Sequence, residues 1–362
     1  MNETALNLIK DVILFLKKNN YEKIKRFPLR RYPFSNKILF NELNNISKFI
    51  TNKENIFSVT FKPELYTNCY NKKIIELRDL FFLNKFLPLD KWNKYFKEEI
   101  IIKWLDNNLF YEKEKMYRFS FRIIPFRNKY FITSCFDRNL KDFTFLSFDS
   151  FYFSTFLSNR LSKIKKVKNA LDICCGVGMP SIVLSELCEN ILGIDINPNA
   201  IDYAKANSVI NQIINCRYIT SSLDESLNTK FNLIVSNPPF IHTDNRNERI
   251  DSDGGSPYGL GKTLNIINKY IPLLSKDGLL FILSRSPILQ KYGDWFFKYL
   301  SNEIKDGLAF KYYHISDSFY PLEKFEKVEN IIGYRNVIVE IYPGNKHEYI
   351  PMSFFHRKSN LF

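Results

Sequence analysis

The tetrapeptide Asn237-Pro238-Pro239-Phe240 follows the apolar run Phe231–Ser236 and carries the most specific chemistry in the chain. A planar nitrogen, in an amide or an exocyclic base amine, is a poor nucleophile because its lone pair is delocalised. A protein that acts on it must hold the nitrogen by its N–H groups. The side-chain oxygen of Asn237 and the carbonyl of Pro238 form an acceptor pair suited to that task. Both prolines stiffen the backbone, and neither brings an N–H that competes. Phe240 offers a flat face on which a planar target stacks. His242 stands two residues further on and could accept a proton, although a loop histidine without a role is the simpler reading.

Upstream, Asp172-Ile173-Cys174-Cys175-Gly176-Val177-Gly178 leaves a predicted strand and enters a helix. Glycine permits a tight turn and close approach of a ligand, and a helix start offers free N–H groups. Asp195 ends the next strand, where a carboxylate can bind two vicinal ribose hydroxyls. A dinucleotide site has the same plan. Two departures argue against NAD. Ser181 occupies the place of the third glycine, and Asp172 would repel a pyrophosphate while attracting an ammonium group. A nucleoside joined to a cationic amino acid fits better, which describes S-adenosyl-L-methionine.

These residues need elements to position them. From residue 169 onward the pattern alternates strand and helix: strands at 170–174, 191–195, Cys216–Thr220, Phe231–Ser236 and 279–283, with helices at 179–188, 263–274 and 289–300. Asn197-Pro198 supplies an N-cap and a proline at the first helical position, opening a helix through about 209. Later strands are expected at 308–314 and 336–342. Such alternation predicts an α/β fold with a mainly parallel, doubly wound sheet and a ligand at the carboxyl ends of its strands. The first part of the chain reads differently. Residues 5–18 place Leu6, Ile9, Val12, Ile13 and Leu16 on one helical face, and 98–110 is a second amphipathic helix. Residues 117–123 alternate as a strand, 125–128 turn, and 129–135 form a second strand. A helix followed by a two-stranded wing predicts a winged-helix-like unit over 1–145, ahead of a catalytic unit over 146–362.

The segments ALDICCGVGMPS (170–181), GIDINPNAIDYAKAN (193–207) and IVSNPPF (234–240) resemble the class I S-adenosylmethionine-dependent methyltransferases, specifically the group built on the small methyltransferase domain. The resemblance covers about 157–342 and implies a Rossmann-like, seven-stranded sheet. It also implies that Asp172, Cys174, Gly176 and Gly178 line the methionine part of the cofactor. Asp195, with Asn197 beside it, would meet the ribose, and Ile196, Ser222 and Leu223 the adenine. Asn237 would border the reacting methyl, with Pro238, Pro239 and Phe240 completing the catalytic motif. Where relatives carry an acid after the third strand, this chain has Ser221-Ser222-Leu223, so a hydroxyl or backbone N–H must serve. Phe153-Ser154-Thr155 looks like the preceding cofactor-contacting segment of relatives. The glycine-rich stretch 251–261 resembles a substrate loop or lid, and a plain surface loop fits it equally. Phe240 rather than Tyr at the fourth motif position tilts the resemblance toward RNA base amines, adenine N6 or guanine N2.

Composition narrows the classes further. The 362 residues are 45% apolar and 25% charged, as expected of a globular protein. No apolar run approaches the roughly 20 residues that span a bilayer, and no secretory signal opens the chain, so a cytoplasmic protein is expected. Six cysteines without paired spacing predict reduced packing thiols and no metal site. Residues 1–170 hold 33 Lys and Arg against 17 Asp and Glu, a net +16, whereas 171–362 hold 19 against 21, a net −2. All the excess positive charge therefore lies in the first half, where it suits an anionic partner or a merely solvated basic face. Four functions stay open: an RNA N-methyltransferase, a protein glutamine N-methyltransferase of the release-factor or ribosomal-protein type, a small-molecule or peptide N-methyltransferase, and a binding module without catalysis.

Overall fold

The computed structural model describes residues 1–24, 72–135, 143–144, 146–164, 166–223, 225, 227–241, 253–319 and 330–351. His242, and residues 251–252 of the glycine-rich stretch, lie outside them. Helix α1 (Glu3–Lys18) opens on Asn2, whose side-chain oxygen accepts from the Ala5 N–H at 2.8 Å. Its buried stripe is Ala5, Ile9, Val12, Ile13 and Leu16. There follow α2 (Lys72–Leu77), which runs on as a π-helical turn at Arg78–Phe82, then β1 (Leu87–Pro88), α3 (Leu89–Asn93) and α4 (Glu98–Asp106). Strands β2 (Phe110–Lys113), β3 (Met116–Phe119), β4 (Phe121–Phe126) and β5 (Lys129–Ser134) complete the first part. β1, β3 and β2 form one small antiparallel sheet, and β4 and β5 form a hairpin.

The single strand expected over 117–123 is two strands. Ser120 divides them: its N–H donates to the Leu109 carbonyl at 3.0 Å and its hydroxyl to the Asn108 carbonyl at 2.7 Å, which diverts the chain from one sheet to the other. The turn expected at 125–128 is the tighter pair Arg127-Asn128, both at positive φ. Pro125 lies within β4 opposite Tyr130, whose N–H points away from the hairpin, so the missing proline donor costs no ladder bond. Around this frame Trp92, Phe96, Trp104, Phe110 and Phe119 pack edge to face, with the Trp92–Phe110 centroids 4.7 Å apart and Trp104–Phe119 4.8 Å apart.

The second part begins with α5 (Phe148–Leu161), which covers one face of a large sheet. Its parallel strands are β6 (Val167–Ile173), β7 (Cys188–Asp195), β8 (Cys216–Thr220), β9 (Phe231–Ser236) and β10 (Leu274–Leu289). The connecting helices are α6 (Met179–Leu184), α7 (Pro198–Ile210) and α8 (Gly261–Tyr270). Then come β11 (Gly293–Asp294), α9 (Trp295–Glu303), β12 (Leu308–Phe319), β13 (Ile331–Pro343) and β14 (Glu348–Ile350). The order β8-β7-β6-β9-β10-β13-β12 is the expected doubly wound sheet of seven strands, with β13 antiparallel to its neighbours. β14 extends the edge beside β12, and β11 folds back on β10. After β8 the chain crosses back to β9 on the other side of β6, so the switch point lies between β6 and β9.

Several boundaries move for local reasons. The helix expected from 289 starts at Trp295, because β10 continues to Leu289 and β11 pairs back onto it; the Asp294 carboxylate then caps α9, accepting from the Phe297 N–H at 3.0 Å. β12 and β13 outrun their apolar stretches, since backbone pairing continues through the polar residues Ser316, Asp317, Arg335 and Asn336. The two parts share one core: Val177, Met179, Ile182, Ala206 and Ile210 belong to the same apolar cluster as α1 and the aromatic frame. No helix among the described residues is long and apolar enough to cross a membrane.

Candidate functional site

The loop after β6 shows how the sequence builds a cradle. Cys174, Gly176 and Gly178 all adopt positive φ, and the Cys175 N–H donates to the Ile194 carbonyl, tying the loop to β7. At Gly178 a Cβ would stand 2.9 Å from the Tyr218 hydroxyl and 3.1 Å from Ala204 Cβ, so the helix packs against the sheet only through a glycine. Gly176 differs. Among the described residues a Cβ there would meet nothing within 4 Å. The same strand ends bring Asp195 and Asp172 to the cradle. Asp195 Oδ2 accepts from the Gly176 N–H at 2.8 Å and Oδ1 from the Asn197 N–H at 2.9 Å, so the loop itself orients this carboxylate. Asn197 accepts in turn from the Asn199 N–H as the cap of α7. Ile196 is 56% exposed beside it, an apolar side chain without cover.

Asp172 is fully buried. Its Oδ2 accepts from the Ser181 N–H at 3.0 Å and the Ser181 hydroxyl at 2.6 Å, while Oδ1 has no hydrogen-bond partner among the described residues. Burial pushes its carboxyl up to about 7, the hydrogen bonds from Ser181 oppose that shift, and nearby Asp195 adds to it. Such a half-satisfied buried carboxylate calls for a cation. Burial likewise raises Asp195, against the N–H groups of Asn197, Gly176 and Ile196 and the charge of Lys262. The Cys174 thiol is pushed up by burial and is no nucleophile. At the end of β8 the Ser221 N–H donates to the Asp195 carbonyl at 3.0 Å, so Ser222 and Leu223 leave the sheet on the same side as Asp195. Glu225 receives the Ser221 hydroxyl at 2.9 Å, so an acid does follow the third strand of the sheet, as a turn cap.

Asn237-Pro238-Pro239-Phe240 leaves β9 level with the loop. Ile173 and Ser236 are register partners, and the buried Ser236 hydroxyl donates to the Ile173 carbonyl at 2.8 Å. The motif therefore starts one strand away from the residues that flank the cradle. Pro238 is buried, while Asn237, Pro239 and Phe240 are partly exposed. Beyond it Ile241 bridges Asp253, and the Gly254 N–H donates to the Ile241 carbonyl at 2.9 Å. A Cβ on Gly254 would lie 1.8 Å from the Gly259 carbonyl oxygen and 2.8 Å from Phe240 Cα. The glycine-rich stretch thus packs directly on the motif's backbone. Lys262 fastens it, donating from Nζ to the Asp253 carbonyl at 2.7 Å. Phe153 and Ser154 of α5 are fully buried, Thr155 nearly so.

Sequence reasoning did not find Ser181 and Tyr218 as partners of the loop, Lys262, or Asn207. The last is fully buried in α7. Its Oδ1 accepts from the Ile132 N–H at 2.7 Å, and its Nδ2 donates to the Ile132 carbonyl at 3.1 Å and the Val177 carbonyl at 3.0 Å. The available signal was an asparagine in the helical stripe Ala200, Ala204, Asn207, Asn211, where an apolar residue is the default.

Residues 150–253 match the profile of the methyltransferase small domain. Among curated proteins, the chain is 35% identical over 127 residues to a putative protein N5-glutamine methyltransferase of Methanocaldococcus jannaschii, covering 33% of this chain and 64% of that one. It is 29% identical over 174 residues to a release factor glutamine methyltransferase of Buchnera aphidicola subsp. Schizaphis graminum, covering 46% and 58% respectively. The chain thus spans less than two thirds of either relative. A solved rRNA methylase from Streptococcus thermophilus aligns at a TM-score of 0.35 and 15% identity, over 56% of this chain and all of that one. The orphaned Asp172 oxygen fits an ammonium, the open face of Gly176 an approaching carboxylate or sulfonium arm, Asp195 a ribose, and exposed Ile196 an adenine. Residues 150–253 therefore match the methyltransferase small-domain family, and the cradle they form suits the cofactor S-adenosyl-L-methionine.

Proposed function

We propose that the protein is an N-methyltransferase acting on a planar nitrogen, an exocyclic base amine of RNA. The observation that carries the reaction class is the placement of Asn237-Pro238-Pro239-Phe240 directly after Ser236, the β9 residue that pairs in register with Ile173 at the start of the cofactor loop and donates to its carbonyl. When bound, S-adenosyl-L-methionine supplies a sulfonium methyl: the acceptor nitrogen's lone pair forms the new C–N bond as the C–S bond breaks onto sulfur, and the nitrogen then loses a proton. The chain's own residues orient the acceptor. Asn237 Oδ1 and the Pro238 carbonyl take its N–H groups, Phe240 stacks on its plane, and Gly254 locks the motif's backbone against the 253–261 loop. Asp172 and Asp195 hold the ammonium and ribose ends of the cofactor. The net +16 of residues 1–170 supports an RNA acceptor.

A second reading, a glutamine side chain in a protein, is favoured by one specific observation: both relatives above are named glutamine methyltransferases. Incubating the protein with tritiated S-adenosyl-L-methionine and a cell lysate separates the two. Label released by ribonuclease supports the first reading, and label released only by protease supports the second. In the same assay Asn237→Ala is expected to reduce turnover by about tenfold or more with cofactor affinity unchanged. Unaltered turnover would remove Asn237 from the mechanism.

A further inference from the structure

A cavity of about 140 Å³ opens beside Phe240, at the carboxyl end of the sheet. Asp149 and Tyr152 reach it from α5, Ser284 from β10, Ser316 from β12 and Asn336 from β13. Leu283 and Ile315 join Tyr152 and Phe240 in its apolar wall, and the other lining residues are polar. Most of the polar atoms already have partners. The Ser284 hydroxyl pairs with Thr263 at 2.9 Å, and Asn336 Nδ2 donates to the Ser316 hydroxyl at 2.9 Å. Asp149 is different. Among the described residues its carboxylate receives a hydrogen bond from its own backbone N–H and feels the charge of Arg285, which leaves acceptor positions open.

An ionised carboxylate accepts and cannot donate, so its complement is a group with two adjacent N–H donors. The amine of adenine has a bare ring nitrogen next to it, and the amide of glutamine has its own carbonyl. Either would set a lone pair against one carboxylate oxygen. Guanine presents a ring N–H and an exocyclic amine side by side, so both carboxylate oxygens are used. The other N–H of that amine is left for Asn237, the N–H that meets Asp149 is shared with the Pro238 carbonyl, and the Ser316 hydroxyl is a donor for the base's carbonyl. Building on the function proposed above, we infer that the acceptor is the exocyclic amine of a guanine in RNA, and that Asp149 is the residue that selects it. Burial raises the Asp149 carboxyl and Arg285 opposes that shift; two arriving N–H donors favour the ionised form further.

The test uses the full chain with tritiated S-adenosyl-L-methionine and in vitro transcribed, hence unmodified, ribosomal and transfer RNAs of the same cells, followed by digestion to nucleosides and chromatography. Label is expected in a methylguanosine carrying the methyl on its amine. Asp149→Asn is expected to lower kcat/KM on guanine by about tenfold or more, with the affinity for S-adenosyl-L-methionine by calorimetry unchanged. Because an asparagine both donates and accepts, it matches the adenine edge, so the same variant should raise the share of label on adenosine. A purely structural role would not produce that shift. Wild-type label on adenosine, or on protein in a lysate, overturns the guanine assignment while leaving the methyltransferase reading intact, as does an Asp149→Asn variant with the wild-type rate and product. A wild-type chain that binds no S-adenosyl-L-methionine overturns the underlying reading as well.

Discussion

A carboxylate with one satisfied and one orphaned oxygen, buried at the end of a parallel strand, is an unstable arrangement unless a cation completes it. Asp172 is such a group, and burial places its carboxyl at about 7. The sign of the consequence follows directly. Below that pH the protonated acid no longer attracts an ammonium, so cofactor affinity should fall as pH drops from 7 to 5, with a limiting slope of about tenfold per unit. The unliganded fold runs the other way. Because the folded group holds its proton more tightly than the unfolded one, its contribution to stability declines as pH rises from about 4 toward 7. Calorimetric titration of S-adenosyl-L-methionine across that range checks the binding half, with Asp172→Asn expected to weaken binding and flatten the profile. A wild-type affinity that stays level from pH 5 to 7 would mean that Asp172 does not meet the cofactor's ammonium.

Among the elements, the hairpin β4–β5 and helix α7 are joined in a way that couples the first part of the chain to the cradle. The outer edge of β5 exposes backbone groups at every second residue, and α7 answers with asparagines one helical turn apart. Asn211 pairs with both backbone groups of Tyr130, at 2.8 and 2.7 Å, and Asn207 does the same for Ile132. Only Asn207 also donates to Val177, between the two loop glycines. Asn207→Ala strands three buried backbone groups and is expected to cost about 3 kcal/mol and to weaken cofactor binding. Asn211→Ala should cost about 1 kcal/mol and leave cofactor affinity alone. Thermal melts with parallel calorimetry check the contrast; equal cofactor affinities in the two variants would uncouple hairpin and loop. This joint also shows what was legible beforehand. The strands, the Asn197-Pro198 helix start and the 172–178 and 237–240 motifs follow from local periodicity and turn chemistry, and they stand where expected. Ser120 switching sheets, β10 running to Leu289 and the strand ends past 314 did not, because backbone pairing decides them whatever the side-chain pattern. Asn207 acts through Ile132, far away in sequence, and no spacing rule reports such a partner.

For the whole molecule the charge asymmetry becomes mechanical. The first 170 residues carry +16 and the remainder −2, yet one apolar core runs from α1 through α6 and α7, so the described elements of the basic part are held against the catalytic sheet rather than merely tethered to it. A phosphate backbone gripped by that part can therefore present a base to the cavity at Phe240 in a fixed geometry. Phosphate contacts release condensed counterions, and affinity then falls steeply with salt. If four phosphates are neutralised, raising salt from about 50 to 200 mM should weaken RNA binding about a hundredfold, while S-adenosyl-L-methionine, held by buried groups, should bind nearly as before. Fluorescence anisotropy of a labelled transcript, measured in a salt series alongside cofactor calorimetry, separates the two responses. A salt-insensitive RNA complex would place the acceptor's grip elsewhere than on the basic half, and the asymmetry would then describe only a solvated surface.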